Sequence, residues 1–358
     1  MPASSPTPSR RRRRRRPATR PARCSPRSGP RRRSEADRTA AGRVGDHQVG
    51  GACVPSIWLR ARRATLLGTL TDTPPDHPPD RPTSRRQRPE SDLSTYLDDL
   101  LGGARARVAA ASAHEPLAAL EERARRRAPG PSLRAALTGP GVSVIAEIKR
   151  ASPSKGPIAP GLNAETQAIA YRTGGAAGIS VLTEPEWFGG SLDDLATVAA
   201  LGVPALRKDF LVDPYQVWEA RATGASAVLL IVAALDDDAL SSLYAEARRA
   251  ELDVLVEVHD DAEVARADAV GADLIGVNAR DLRTFELDPE AFSRLRGRLP
   301  ADAVAVAESG ISRASDVTRA GRAGADAVLV GEGLVRAADP ATAVAALVAA
   351  GHEVGQER

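Results

Sequence analysis

The sequence predicts an α/β fold, a (β/α)8 barrel with extra N-terminal helices, on three observations. From Ser143 onward a short apolar strand, a polar loop and an amphipathic helix alternate eight times. A glycine-led repeat precedes every second strand: G-A-A-G-I-S-V-L at 175–182, G-A-S-A-V-L-L-I at 224–231, G-A-D-L-I-G-V-N at 271–278 and G-A-D-A-V-L-V-G at 324–331. Its spacings of 49, 47 and 53 residues each hold two strand–helix units. Finally, the strands are almost continuously apolar, which implies a parallel sheet covered by helices. Eight such units fit a closed barrel. An open doubly wound sheet is the rival, but its phosphate fingerprint is missing. The one candidate, G-E-G-L-V-R at 331–336, carries Arg336 where a small residue is required.

Residues 91–140 are expected to be helices capping the barrel. Leu97, Leu100, Leu101 and Val108 share a stripe at helical spacing, with Gly102–Gly103 as a weak point. P-G-P at 129–131 stops the run, and a short helix follows at Ser132–Leu137. The catalytic barrel is assigned to 141–352. The strands between the repeats are V-S-V-I-A-E-I-K at 142–149, V-P-A-L-R-K-D-F at 203–210, L-D-V-L-V-E-V-H at 252–259 and A-V-A-V-A-E-S-G at 303–310. Helices are predicted near 164–173, 191–200, 214–223, 236–250, 261–269, 289–296, 313–321 and 340–350. Residues 353–358 are expected to form a tail.

Residues 1–90 differ from all of this. They hold 22 Arg against 7 acidic residues, whereas the remainder carries 27 basic and 39 acidic residues. The small net charge of +3 therefore describes neither part. Arg10 to Arg16 run unbroken, and Pro, Ser and Arg dominate. Such a segment buries too little surface to offset its ordering entropy. The expectation is a disordered or non-native extension, the latter translated from a misplaced start. A nucleic-acid-binding arm is the sharper alternative, since poly-Arg neutralises phosphates, but interleaved aromatics and a recognisable module are missing. Proline is too frequent for an amphipathic transit peptide. Both cysteines, Cys24 and Cys53, lie in this head. No apolar run is long enough to span a membrane, and the body reads as soluble and cytoplasmic.

The chemistry is concentrated at strand ends. Glu147 and Lys149 are two apart, so they share a face where the first strand gives out. The chain has only three lysines, Lys149, Lys155 and Lys208, among 49 basic residues. Arg cannot shift its pKa into a useful range and a desolvated Lys can, so retained ammonium groups mark a site; codon bias is the bland alternative. The odd strands end in Glu147 with Lys149, Lys208, Glu257, and Glu308 with Ser309. Among the even strands the sixth ends in Asn278, with Arg280 just beyond. In a barrel of this kind these groups converge on one mouth. An ion-pair plug is the structural alternative, and a poor use of so many buried charges. Two lysines among three carboxylates suit general acid–base work, and a neutral lysine could instead form a Schiff base. No His cluster for a metal and no dinucleotide motif is present, so neither metal nor cofactor is expected. His259 reads as support rather than catalyst. The loops S-G-I at 309–311 and G-E-G at 331–333 follow the last two strands, where phosphate is commonly held. Gly310 and Gly331 let backbone N–H groups approach an anion, and a short helix could start at Glu332 or Gly333. Ser152 and Arg280 could add contacts. The expected partner is a phosphorylated small molecule.

A-E-I-K-R-A-S-P-S-K-G, L-R-K-D-F, L-L-I-V-A-A-L, V-E-V-H, G-V-N-A-R-D-L and A-E-S-G-I, in this order, closely resemble the indole-3-glycerol phosphate synthase family of tryptophan biosynthesis. The resemblance covers roughly residues 92–351. It implies a lyase that closes the indole ring of 1-(2-carboxyphenylamino)-1-deoxyribulose 5-phosphate with loss of CO2 and water. It also implies roles. Lys208 would protonate the substrate carbonyl, and Glu257 would be the acid/base partner in dehydration. Lys149 would lie near the substrate carboxylate and act as a later acid. Glu147 and Asn278 would orient these groups, and Glu308 and Ser309 would line the pocket. Ser152, Arg280, Gly310, Gly331 and the Glu332 backbone would hold the phosphate, with the Glu332 carboxylate turned away. A monomer or weak homo-oligomer, in contact with other enzymes of the pathway, is the expected state.

Overall fold

The computed structural model describes residues 96–357. The basic head, its cysteines and the first residues of the expected N-terminal helix lie outside the described residues.

Eight parallel strands close into a barrel: β1 (Ser143–Ile148), β2 (Gly178–Leu182), β3 (Ala205–Lys208), β4 (Ala227–Ile231), β5 (Asp253–Val258), β6 (Leu274–Asn278), β7 (Val304–Glu308) and β8 (Ala327–Val330). Each pairs with its sequence neighbours, and β8 returns to β1 through Ile145 opposite Leu329. Side chains alternate along each strand. Val144, Ala146 and Ile148 face the helices, in the cluster that also takes Val254, Val256 and Val258. Ile145, Leu206, Leu229, Leu255, Val306 and Leu329 belong to a separate cluster that fills the barrel. The same alternation puts Glu147, Lys208, Glu257, Asn278 and Glu308 on the inner face, at the ends where the strands finish.

The covering helices are α4 (Ala164–Thr173), α5 (Leu192–Ala200), α6 (Pro214–Thr223), α7 (Asp237–Arg249), α8 (Asp261–Ala269), α9 (Ala291–Leu295), α10 (Ala314–Arg322) and α12 (Pro340–Glu357), with a short α11 (Glu332–Val335) after β8. Side chains cap the entry to five of them: Asn163, Ser191, Asp213, Asp236 and Asp260 each accept a backbone N–H of the first turn. The repeat glycines Gly175, Gly224, Gly271 and Gly324 have φ of 90°, 102°, 74° and 97°, the left-handed conformation that ends a helix. One boundary needs correction. The expected tail at 353–358 is helical through Glu357, because Val354 is 1 % exposed on the inner stripe of α12 and Arg322 pairs with Glu357 at 3.2 Å.

Three helices precede the barrel: α1 (Tyr96–His114), α2 (Leu117–Arg125) and α3 (Leu133–Ala136). α1 passes unbroken through Gly102–Gly103. Leu97, Leu100, Leu101 and Ala104 are buried on its inner stripe, and Val108 is half-buried. This stripe joins Phe210 and Ile231 in the interior cluster, so α1 packs at the mouth. α3 closes the other end. Leu133 is fully buried there, and Gly178 leaves its side chain room at the start of β2. Between them Arg221, 3 % exposed, donates to the carbonyls of Arg127 and Ala128 at 2.7 and 3.3 Å, fastening the chain around P-G-P.

Candidate active site

The twelve residues singled out above all line one cavity of about 470 Å3 at the C-terminal mouth of the barrel: Glu147, Lys149, Ser152, Lys208, Glu257, Asn278, Arg280, Glu308, Ser309, Gly310, Gly331 and Glu332. Register explains the convergence. Glu147 lies beside Ser180 of β2, Glu257 beside Ile231 of β4, and Asn278 beside Glu308 of β7. Lys155 is exposed in a small hairpin, Ala151–Ser152 with Gly156–Pro157, that follows β1.

Two ion-paired centres face each other. Lys149 Nζ lies 2.7 Å from Glu147 Oε1. Lys208 Nζ lies 3.5 Å from Glu257 Oε2 and 3.7 Å from Glu308 Oε2. Burial works against the Lys208 charge, but the acidic side chains around it, Glu257 foremost and then Glu308 and Glu147, outweigh it and hold the ammonium above its ordinary range. Burial likewise disfavours the Glu257 charge, yet Lys208 and His259 prevail and bring that carboxyl below its usual value. Glu308 goes the other way. Burial first, and the Glu257 charge second, push it up to about 8. At neutral pH the pair is thus one carboxylate and one carboxylic acid, the splitting expected of acids that share a dry site.

Glycines make room for these groups. A Cβ on Gly276 would fall on Glu308 Oε1, and one on Gly331 would fall on Glu147 Oε1. Ser309 Oγ donates to Asn278 Oδ1 at 2.7 Å, and the Arg280 backbone N–H donates to the same oxygen at 3.0 Å. Ser309 and Gly310 are both left-handed, with φ of 65° and 72°. Such a φ is uncommon for a serine and marks a turn held by its surroundings. Ser152 Oγ is buried without a hydrogen-bond partner among the described residues. The Glu332 carboxylate turns to Arg336, whose Nε donates to Oε1 at 3.2 Å.

Part of the site escaped the sequence reading. Leu182, Phe188, Phe210, Leu229, Ile231 and Leu329 give the cavity an apolar wall, and Ser312, Gly333 and Arg336 extend its polar side. A signal existed for the wall: Phe188, Phe210 and Phe285 are three of the chain's four phenylalanines, and all three line the cavity. The buried Glu184 and Asp209 were missed as well. Glu184 accepts the backbone N–H groups of Glu186, Trp187 and Phe188 at 2.7–3.1 Å and so shapes the loop after β2. Among the described residues no His, Cys, Asp and Glu group is arranged to hold a metal, and no helix is long and apolar enough to cross a membrane.

Comparison with known proteins agrees with this geometry. The family profile described as indole-3-glycerol phosphate synthase matches residues 97–347. The indole-3-glycerol phosphate synthase of Mycolicibacterium gilvum is 52 % identical over 260 residues, covering 72 % of this chain and 95 % of that protein. Indole-3-glycerol phosphate synthase 1 of Streptomyces coelicolor is 53 % identical over 258 residues, covering 72 % of this chain and 96 % of that protein. With the matched span taking in α1 and nearly all of the barrel, the chain belongs to the indole-3-glycerol phosphate synthase family, the carboxy-lyases of tryptophan biosynthesis that act on a phosphorylated small molecule.

Proposed function

We propose that the cavity closes the indole ring of 1-(2-carboxyphenylamino)-1-deoxyribulose 5-phosphate by general acid–base catalysis, with Lys208 as the first acid. The supporting observation is the Lys208 ammonium, held charged between Glu257 and Glu308 on the floor of the cavity. The aryl carbon bearing the carboxylate must attack the ketone carbon. As it does so, negative charge grows on the ketone oxygen, and a desolvated ammonium aimed there stabilises that charge and donates the proton. CO2 then leaves and restores the aromatic ring. The new hydroxyl departs as water with a proton from Lys149, while Glu257 takes the neighbouring C–H proton. Glu257 suits this because its carboxyl is ionised where that of Glu308 is not. Glu147 holds Lys149, and Asn278 with Ser309 and Glu308 lines the path between the two centres.

The phosphate is assigned to Ser152, Arg280 and the backbone N–H groups of the turns at Gly310 and Gly331–Gly333. The unpaired Ser152 hydroxyl supports this assignment. The aryl ring is assigned to the wall of Phe188, Phe210 and Leu229. A Schiff base on Lys208 is disfavoured, since the nucleophile would have to be a neutral amine and the surrounding carboxylates keep it protonated. The same reading puts the reaction in the cytoplasm, on a monomer or weak homo-oligomer in reach of the enzymes that supply its substrate and take its product. The test is Lys208→Met, followed by indole fluorescence and by substrate binding. Turnover is abolished and binding is largely kept. Equal loss of both would reassign Lys208 to positioning. Lys208→Arg also fails, because guanidinium is too weak an acid.

A further inference from the structure

We propose that His259 is a positioning residue for Glu257: clamped from outside by Glu263, its ring presents Nε2 to the carboxylate and keeps it charged and turned toward Lys208. This deepens the reading of Glu257 as the base and rests on it.

Three contacts define the arrangement. Glu263, in the first turn of α8, accepts both the His259 backbone N–H at 2.8 Å and sits 3.0 Å from ring Nδ1 through the same oxygen, Oε2. With its backbone and its ring tied to one carboxylate, the imidazole cannot rotate away. Its other nitrogen, Nε2, then lies 3.6 Å from Glu257 Oε1. Both of these atoms are buried, and neither has a hydrogen-bond partner among the described residues. They are left facing each other across a gap that a small shift closes, as catalytic contacts commonly do once substrate is bound.

The two oxygens of Glu257 thus have separate duties. Oε2 faces Lys208, and Oε1 faces His259. The carboxylate is fully buried, and a charge there needs partners on both sides. Glu263 on α8, Glu257 near the end of β5 and Asp281 in the loop after β6 face the ring as carboxylates, Glu308 on β7 adds its carboxyl group, and together they overcome the cost of burial. Lys208 on β3 is the opposing cation, on the far side of Glu257. Without the imidazolium, Lys208 would be the one cation left to hold the Glu257 charge, helped by the Asn278 side chain, and Lys208 is the group that must give its proton away.

The sign of the expected effect follows. A cation within this distance typically lowers a carboxyl pKa by one unit or more, so removing it makes Glu257 protonate earlier as pH falls. The experiment is the pH profile of kcat on the full chain with His259→Gln and, separately, Glu263→Gln. The profile of kcat reports groups in the substrate complex, so titration of free substrate does not enter. In His259→Gln the acidic limb moves up by about one pH unit, and the loss of kcat, about tenfold at the acidic end, shrinks towards alkaline pH. Glu263→Gln keeps a hydrogen-bonding group but lets the ring turn and lose its charge. It moves the limb the same way by less. KM stays within about twofold in both, since neither side chain lines the cavity. A loss of kcat that is equal at every pH, or an unmoved acidic limb in both variants, overturns the proposal. Glu257→Gln separates the two readings. If it keeps turnover, the assignment of Glu257 as base has failed; if it is dead while His259→Gln shows no pH-dependent loss, only the role of His259 has failed.

Discussion

Arg107 Nη2 lies 3.0 Å from Asp209 Oδ1, and Asp209 is the residue directly after Lys208. The guanidinium also reaches Glu184 at 3.4 Å, behind the loop that carries Phe188. One arginine on the N-terminal helix therefore ties together the ends of β2 and β3, which deliver the apolar wall and the candidate acid. Asp209 has other partners: Thr183 Oγ1 at 2.7 Å, Arg207 Nη2 at 3.2 Å and the Phe210 N–H at 2.9 Å. The network survives removal of Arg107, but loosened. We expect Arg107→Met to cost about 1–3 kcal/mol, less than a fully buried pair because the arginine side chain is 28 % exposed. We also expect kcat to fall by roughly tenfold, since sub-ångström displacement of an acid is felt in the rate. Thermal unfolding and kcat measured on the same preparation check both. A lower melting temperature with unchanged kcat would confine α1 to a structural role.

Gly276 and Gly331 make a sharper case. Neither Gly276, within β6, nor Gly331, just after β8, has positive φ, so alanine is not strained at either by a left-handed backbone. What alanine meets is a carboxyl group of the candidate site: Glu308 beside Gly276, and Glu147 beside Gly331 with Lys149 Nζ at 3.2 Å. Overpacking of this kind costs about 1–3 kcal/mol, which a domain of this size survives. The displaced carboxylates cost more in rate, on the order of 10²-fold in kcat for either variant. Circular dichroism would show the fold intact while indole formation collapses. Near-normal kcat in Gly276→Ala would mean that Glu308 can move without consequence.

The charged half of the site was legible because strand periodicity is rigid. Glu147 and Lys149 are two residues apart at a strand end, and that spacing alone fixes their common face. The same reasoning found Lys208, Glu257, Asn278 and Glu308. It could not find Glu184 and Asp209. What joins them is Arg107 of α1, 77 and 102 residues away in sequence, and no local pattern encodes a contact of that range. The apolar wall was hidden for another reason. Leu229 and Leu329 read as ordinary core, and only closure of the barrel decides that they face the cavity. The last helix is expected only over 340–350, and the residues beyond, G-H-E-V-G-Q-E, are sparsely apolar. Val354 and the Arg322–Glu357 pair, both tertiary, carry it to Glu357.

Glu308 should leave a mark on stability as well as on catalysis. Its carboxyl ionises near 4.5 ordinarily and at about 8 in the folded protein, through burial and then the Glu257 charge. Between those values the folded state holds a proton that the unfolded chain has lost. The contribution of Glu308 to stability is therefore full below about pH 4.5 and is lost as pH rises through about 8. Glu308→Gln keeps the neutral shape and removes the titration. The melting temperature of the variant should match the parent near pH 5 and exceed it near pH 8.5. A difference that is flat across that range would show that Glu308 does not carry the proton.

Glu332 stands where a carboxylate is least welcome, beside the turn assigned to phosphate. The structure mitigates this by turning its side chain to Arg336, which also lines the cavity. The pair is solvent-exposed, so it adds little stability of its own. Its effect is to occupy an arginine that could otherwise face the anion. In Glu332→Ser the negative charge is gone, the backbone N–H remains, and Arg336 is free to swing to the phosphate. We expect KM to fall by about two- to fivefold, the scale of one exposed charge near a phosphate. The gain should shrink as salt is raised, because the charges involved are open to screening. Steady-state kinetics at low and high ionic strength measure both. If KM rises instead, the Glu332–Arg336 pair holds the turn in shape, and the phosphate depends on that shape more than on the local charge.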